Sequence, residues 1–191
     1  MKKWLFLFIA LFLTIGLAAC GESDIEKAEN EDNQQEDTNG ENAGEQEDNQ
    51  KEEDTNENKT EKFAIGDTVN FDGVKITLNE ARIEPGGEFD TPQNDQFVVV
   101  NLSAENTTDE EVTMSSIMNI ELKDAESYSY STTILTEGIK AQFDGSIEPG
   151  GTLRGEIPFD VPKSESYELH FSDPFKSGKA IWEIPSDQLS Q

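Results

Sequence analysis

Between Phe63 and Gln191 apolar side chains recur at every second position in run after run, and a chain patterned this way buries them on one face only as β-strands. Val74, Ile76 and Leu78 share one strand face. Ala81 and Ile83 follow in the opposite phase, so a β-bulge near Asn79–Glu80 is needed to keep all five pointing inward. Phe97-Val98-Val99-Val100-Asn101-Leu102 is nearly continuous, which suits a central strand buried on both faces. Met118, Ile120 and Leu122 alternate; so do Leu153, Ile157, Phe159 and Val161, then Tyr167, Leu169 and Phe171, and finally Ala180, Trp182 and Ile184. Pro158 has no amide hydrogen to donate, which places its run at a sheet edge or a bulge.

Turn residues punctuate these runs. Glu84-Pro85-Gly86-Gly87 and Glu148-Pro149-Gly150-Gly151 put fixed φ before positive φ, as a type II turn requires. Asp72-Gly73, Asp144-Gly145 and Ser177-Gly178 are further turn signals. Six to eight strands with short turns and no long helical pattern predict an all-β protein, a β-sandwich in architecture. The 129 residues from 63 to 191 suffice for one domain with a modest core.

Ahead of that domain the composition changes abruptly. Residues 21–62 carry 17 acidic and 4 basic side chains, no aromatic, and Ile25 as the only large aliphatic. Such a segment buries too little apolar surface to offset the entropy of ordering, so it is expected to be disordered. As a flexible coil its 42 residues would span roughly 35 Å, a spacer between whatever precedes it and the domain. Glu31-Asp32-Asn33-Gln34 recurs at Glu47-Asp48-Asn49-Gln50, and Glu36-Asp37-Thr38-Asn39 at Glu53-Asp54-Thr55-Asn56; neither unit has an apolar face to stack.

The first 19 residues have the layout of a secretory signal: Lys2 and Lys3, an apolar stretch, then small residues. From Trp4 to Ala19 a helix would reach only about 24 Å, against a hydrocarbon core of about 30 Å, so an uncleaved membrane span fits poorly. Leu17-Ala18-Ala19-Cys20 resembles the lipobox of bacterial lipoproteins. That resemblance implies cleavage before Cys20, diacylglycerol on its sulfur, and a mature chain anchored to the membrane outside the cytoplasm. Two acyl chains anchor stably where one does not. Cys20 is the only cysteine, which leaves no thiol for a disulfide, a nucleophile or a metal cluster.

Several features of the domain occur in a familiar order. Ile65-Gly66-Asp67 opens it, the strands Val74–Ile83 and Phe97–Leu102 follow, and Asn106-Thr107-Thr108 ends the second. Pro149-Gly150-Gly151-Thr152, the run Gly155–Pro162 and Leu169-His170-Phe171-Ser172-Asp173 complete it. This arrangement resembles the bacterial lipoprotein domains grouped as domain of unknown function 4352, and it implies an immunoglobulin-like β-sandwich over residues 63–191. The shared motifs are turns and core positions, so they specify a fold and carry no activity and no catalytic residue.

Chemistry is sparse. His170, the only histidine, alternates with Leu169 and Phe171 and is expected half-exposed beside Glu168 and Ser172. No G-x-S-x-G elbow, S-x-x-K box or phosphate-cradling loop is present, and the chain reads as a non-enzyme. The domain holds 24 acidic and 8 basic residues, a field that disfavours nucleic acid and anionic headgroups. No small-molecule substrate is evident. Two acidic loops, one with Glu88, Asp90 and Asp95 and one with Asp109, Glu110 and Glu111, make calcium a candidate ligand, since sandwich loops can gather oxygens at one end. The alternative is a generally acidic, solvated exterior. Tyr128 and Tyr130 alternate with serines and are expected to face one way, either covering the core or forming a patch for a protein or glycan partner. The function these features support is an anchored binding or accessory module for another envelope protein.

Overall fold

The structure, a computed structural model, describes residues 25–28 and 61–191. The signal segment, Cys20 and most of the acidic stretch, together with the expectations placed on them, lie outside the described residues.

Among the described residues twelve strands run in chain order: β1 (Ile25–Lys27), β2 (Lys62–Phe63), β3 (Thr68–Phe71), β4 (Val74–Glu84), β5 (Gln96–Asn106), β6 (Val112–Met114), β7 (Ile120–Asp124), β8 (Ser129–Tyr130), β9 (Gly145–Ile147), β10 (Thr152–Val161), β11 (Ser166–Phe171) and β12 (Ala180–Pro185). The only α-helical element among the described residues is one turn, α1 (Ser116–Asn119). One sheet has the order β1-β3-β4-β5-β10, the second β2-β12-β11-β7-β8, and β6 pairs with β9 as a separate ribbon. The two larger sheets close face to face over a single core built from Val69, Phe71, Ile76, Leu78, Val98, Val100, Leu102, Ile157 and Phe159 on one side and Leu122, Tyr167, Leu169, Phe171, Trp182 and Ile184 on the other. The Phe71 and Phe171 rings meet edge-on at 5.1 Å across it.

The alternation of apolar residues translates directly into register. β4 pairs with β5 along its whole length and slips between Leu78 and Glu80, the bulge that the change of phase demands. Val74, Ile76, Leu78 and Ala81 are buried as a result, and Ile83 packs against the same core. β10 is the outer strand of its sheet, which accommodates Pro158 opposite Val99. The Asp72-Gly73 turn joins β3 to β4 through two residues of positive φ, 49° and 82°, as in a type I′ hairpin. At Pro149-Gly150 the Gly151 amide donates to Glu148 O at 2.8 Å and Gly150 has φ 73°, a type II turn.

Four expectations are corrected. Met118 does not continue the β7 pattern: it lies in α1, exposed, because the Ser115 carbonyl accepts the amides of Met118 and Asn119 and turns the chain before the strand begins. The strands number more than eight among the described residues, since β1, β2, β6, β8 and β9 are too short to show a period. His170 is buried, as described below. The acidic stretch is not wholly a spacer: β1 adds to the edge of the first sheet, with Ile25 opposite Phe71 and Lys27 opposite Val69. Backbone hydrogen bonds to an open strand edge, Ile25 packing on the core and a Lys27–Asp67 ion pair at 2.8 Å offset the ordering cost that composition alone predicts to prevail.

Candidate functional site at the loop ends

The sandwich has two loop ends. β5 begins beside the end of β10, with Gln96 opposite Val161, and finishes beside the start of β4, with Asn106 opposite Val74. The Asp72-Gly73 hairpin, the 107–111 loop, α1 and the 172–179 loop therefore occupy one end, called here the hairpin end. The loops 85–95 and 125–128 occupy the other, the long-loop end; Gln96 Nε2 donates to Tyr167 Oη there at 3.1 Å, tying the two sheets together.

This geometry separates the acidic loops. Glu88, Asp90 and Asp95 lie at the long-loop end, and Asp109, Glu110 and Glu111 at the hairpin end, with the eleven residues of β5 between them. That is about 33 Å of strand, so the two sets share no site. Their oxygens are partly spent on the fold. Asp90 Oδ2 accepts from the Thr136 amide and hydroxyl, each at 2.7 Å, and from the Glu137 amide at 3.2 Å. Those bonds, the Thr136 hydroxyl foremost, hold the Asp90 carboxyl below its ordinary range. Asp95 Oδ2 accepts from the Lys163 amide at 3.0 Å. At the other end the buried Asn106 shapes the loop, donating to Glu110 O and Ile147 O and accepting from Thr108. Among the described residues, no three His, Cys, Asp or Glu side chains converge to hold a metal ion.

The two tyrosines part company. Ser127, with φ 67° and its amide bonded to Asp124 O, closes the turn after β7, and Tyr128 belongs to that turn and not to β8. Tyr128 is exposed, whereas Tyr130 packs against the core and donates its hydroxyl to Asp124 Oδ2 at 2.7 Å. Burial and the Asp124 carboxylate push the Tyr130 phenol up to about 12. Burial alone would raise the Asp124 carboxyl, but bonds from Tyr130, the Tyr128 amide and the Glu126 amide outweigh it and hold the group low. Tyr130 thus covers the core, and Tyr128 remains available at the long-loop end.

His170 shares its strand face with Glu168, as the alternation requires, and its Nε2 lies 2.8 Å from Glu168 Oε2. Burial pushes its pKa down, more than Glu168 raises it, and the nearby Lys179 and Lys123 charges add to the lowering. Glu168 is also held by Lys62 at 2.7 Å, an ion pair that fastens β2 to the sheet. Among the described residues the ring bonds Glu168, and through Lys62 the pair braces β11 against β2.

The most elaborate polar constellation was not singled out by the sequence pattern. It lies on the outer face of the first sheet, beneath the 131–144 segment. Glu156, almost wholly buried, receives both ends of the Arg82 guanidinium at 3.1 and 3.0 Å, the Lys140 amide at 3.1 Å and Asn101 Nδ2 at 3.2 Å. Burial by itself pushes the Glu156 carboxyl up; the Arg82 and Lys140 bonds overcome this and hold it below the usual glutamate range. Arg82 Nη2 also donates to Gly138 O at 2.6 Å, and the Glu156 amide to Ala141 O at 2.7 Å. Gly155 permits that approach, because a Cβ there would stand 2.5 Å from the Gln142 backbone. Leu135 completes the clamp by packing on Phe97 and Val99, the outward face of β5. The Glu156 oxygens are engaged by Arg82, Lys140 and Asn101, and the cluster fixes the 131–144 segment over the sheet.

What the clamp displays is apolar. Asp90 ties the 85–95 loop to the 131–144 segment, and at this junction Phe89 and Ile134 stand 81% and 78% exposed. A second exposed group, Ile117, Met118 and Phe175, occurs at the hairpin end.

Residues 63–181 match the domain of unknown function DUF4352. The chain belongs to the DUF4352 family. Among solved structures it is similar to the Bacillus subtilis protein ycdA, a candidate lipoprotein, at 17% identity and TM-score 0.51, over 60% of this chain and 37% of that one. It is likewise similar to the Bacillus subtilis yjhA protein at 14% identity and TM-score 0.51, over 64% of this chain and 98% of that one. The chain thus spans little more than a third of ycdA, and at these identities the likeness is of fold alone. No curated protein matches it. This DUF4352 chain is an all-β sandwich, and the family assigns it no reaction. Among the described residues no helix is long and apolar enough to cross a membrane.

Proposed function

We propose that this DUF4352 chain is an extracytoplasmic lipoprotein, anchored through Cys20, that acts without catalysis as a binding module for another envelope protein. The observation that carries the binding role is the exposed apolar set Phe89, Ile134 and Tyr128 at the long-loop end. Phe89 and Ile134 stand on segments fixed by Asp90 and by the Glu156–Arg82 clamp. Large apolar side chains held on an ordered frame lose little conformational entropy on binding, which is how a few aromatic anchors dominate an interface. Anchoring rests on the Leu17–Cys20 motif. The calcium alternative loses support from the separation of the two acidic loops along β5.

Brief cross-linking of the tagged chain in intact cells tests this reading. One envelope protein should be captured reproducibly, with yield lost in Cys20→Ala and reduced severalfold in Phe89→Ser/Ile134→Ser. Capture that is indifferent to both substitutions, or a defined envelope substrate turned over by the purified chain, would overturn it.

A further inference from the structure

β1 runs antiparallel to β3 with Ile25 opposite Phe71, next to the Asp72-Gly73 turn, and Lys27 opposite Val69. The chain therefore enters the sheet from the hairpin end. Cys20 precedes Ile25 by five residues, a distance that even a fully extended chain cannot stretch beyond about 18 Å. At that same end Ile117, Met118 and Phe175 stand 78%, 56% and 88% exposed. Their two loops are joined: Asn119 Nδ2 donates to Ser172 O at 3.0 Å, and the Ser172 amide to Asn119 O at 2.9 Å. Lys176 Nζ pairs with Asp72 Oδ2 at 3.2 Å, which fastens the Phe175 loop to the hairpin beside Ile25. α1 is fixed in turn by the Ser116 amide and hydroxyl, both donating to Asp144 at 2.8 Å.

We propose that the hairpin end rests on the bilayer that holds the Cys20 lipid, with Ile117, Met118 and Phe175 inserted at the boundary between headgroups and acyl chains. This deepens the anchored-module reading and rests on lipidation of Cys20. The anchor's short reach makes contact with the surface effectively intramolecular, so three apolar side chains suffice where a free domain would need many more. Charge does not drive the contact. Asp109, Glu110 and Glu111 share this end, and they disfavour anionic headgroups, so insertion of apolar side chains supplies the attraction. The orientation that follows points Phe89, Tyr128 and Ile134 away from the membrane, at the far end of β5.

The test uses the full, lipidated chain in phosphatidylcholine vesicles that contain a doxyl-labelled lipid as quencher. With Cys20 acylated, a cysteine introduced by Phe175→Cys, Ile117→Cys or Phe89→Cys is the only free thiol and takes a fluorophore. Labels at positions 175 and 117 should be quenched severalfold more than the label at 89. Protein that floats with the vesicles but shows equal quenching at all three positions would overturn the inference and leave the anchor intact. Protein that fails to float would overturn the lipoprotein reading itself.

Discussion

Replacing Glu156 by Gln keeps the side chain's size but removes the carboxylate that takes both ends of the mostly buried Arg82 guanidinium, leaving it only Glu84, 3.5 Å from Nε. Breaking a buried pair from one side is costly, and Glu156→Gln should lower stability by about 3 kcal/mol in urea denaturation. The double variant Arg82→Met/Glu156→Met should cost less than that single change, because it removes the buried guanidinium together with its main counter-charge and leaves only the more exposed Glu84 carboxylate to be solvated. The pair also sets a pH dependence. Glu156 is held below its unfolded value, so between the two values the unfolded chain binds the proton and acid favours unfolding. Its contribution is full above about pH 4.3 and is lost as the pH falls through the folded value. The stability gap between wild type and Glu156→Gln should therefore close on acidification below about pH 4; taking the difference cancels the changing repulsion among the other carboxylates. A gap that stays constant would refute the coupling. At this scale sequence reading succeeded least. A glutamate and an arginine 74 positions apart give no periodic signal, and both resemble ordinary polar residues of a strand's outer face. The same limit made His170 look half-exposed and made Tyr128 and Tyr130 look equivalent, because alternation assigns a face and says nothing of what covers it.

Strands were legible wherever they were long enough to show a period. The β4 bulge is the clearest case, since two apolar runs out of phase by one residue can share a core only if one extra residue is inserted between them. Deleting Asn79 should remove that insertion and turn Ala81 and Ile83 outward, or drive the rest of β4 out of register. The deletion variant is expected to melt well below wild type and to lose amide protection across Glu80–Glu84 and the facing half of β5, as hydrogen exchange would show. Wild-type protection there would mean that the bulge is dispensable. Two- and three-residue strands lay beyond such reasoning, because a period of two needs several turns of the pattern to be seen. β1 is the instructive example. Its sequence, Ile25-Glu26-Lys27, lies in the most acidic part of the chain, and only the open edge of β3 makes a strand of it. Met118 erred the other way: three alternating apolar residues suggested a strand where backbone bonds to Ser115 had already closed a helical turn.

Over the whole molecule the dominant quantity is charge, −27 at neutral pH, with 24 acidic residues against 8 basic in the folded region. Self-repulsion on that scale destabilises a compact state, and salt screens it over about 10 Å at 0.1 M. Added sodium chloride should therefore raise the melting temperature. Calcium and magnesium at equal ionic strength should raise it by the same amount; a calcium-specific rise would restore a dedicated site. The amino-acid sequence by itself determined the all-β class, the single core, the bulge, the hairpin turns and membership of the DUF4352 family. The class, core, bulge and turns follow from local periodicity and backbone preferences, which are printed residue by residue; the family follows from the resemblance of its motifs and the match over residues 63–181. The tertiary structure alone decided which loops share an end: it set the acidic loops apart, gathered Phe89 with Ile134 and Ile117 with Phe175, and buried Glu156 on Arg82. It also returned Ile25 to the sheet edge, leaving four residues between Cys20 and the first strand. Those relations depend on strand order and direction, and contacts between residues distant in the chain leave no mark on either neighbour's local sequence.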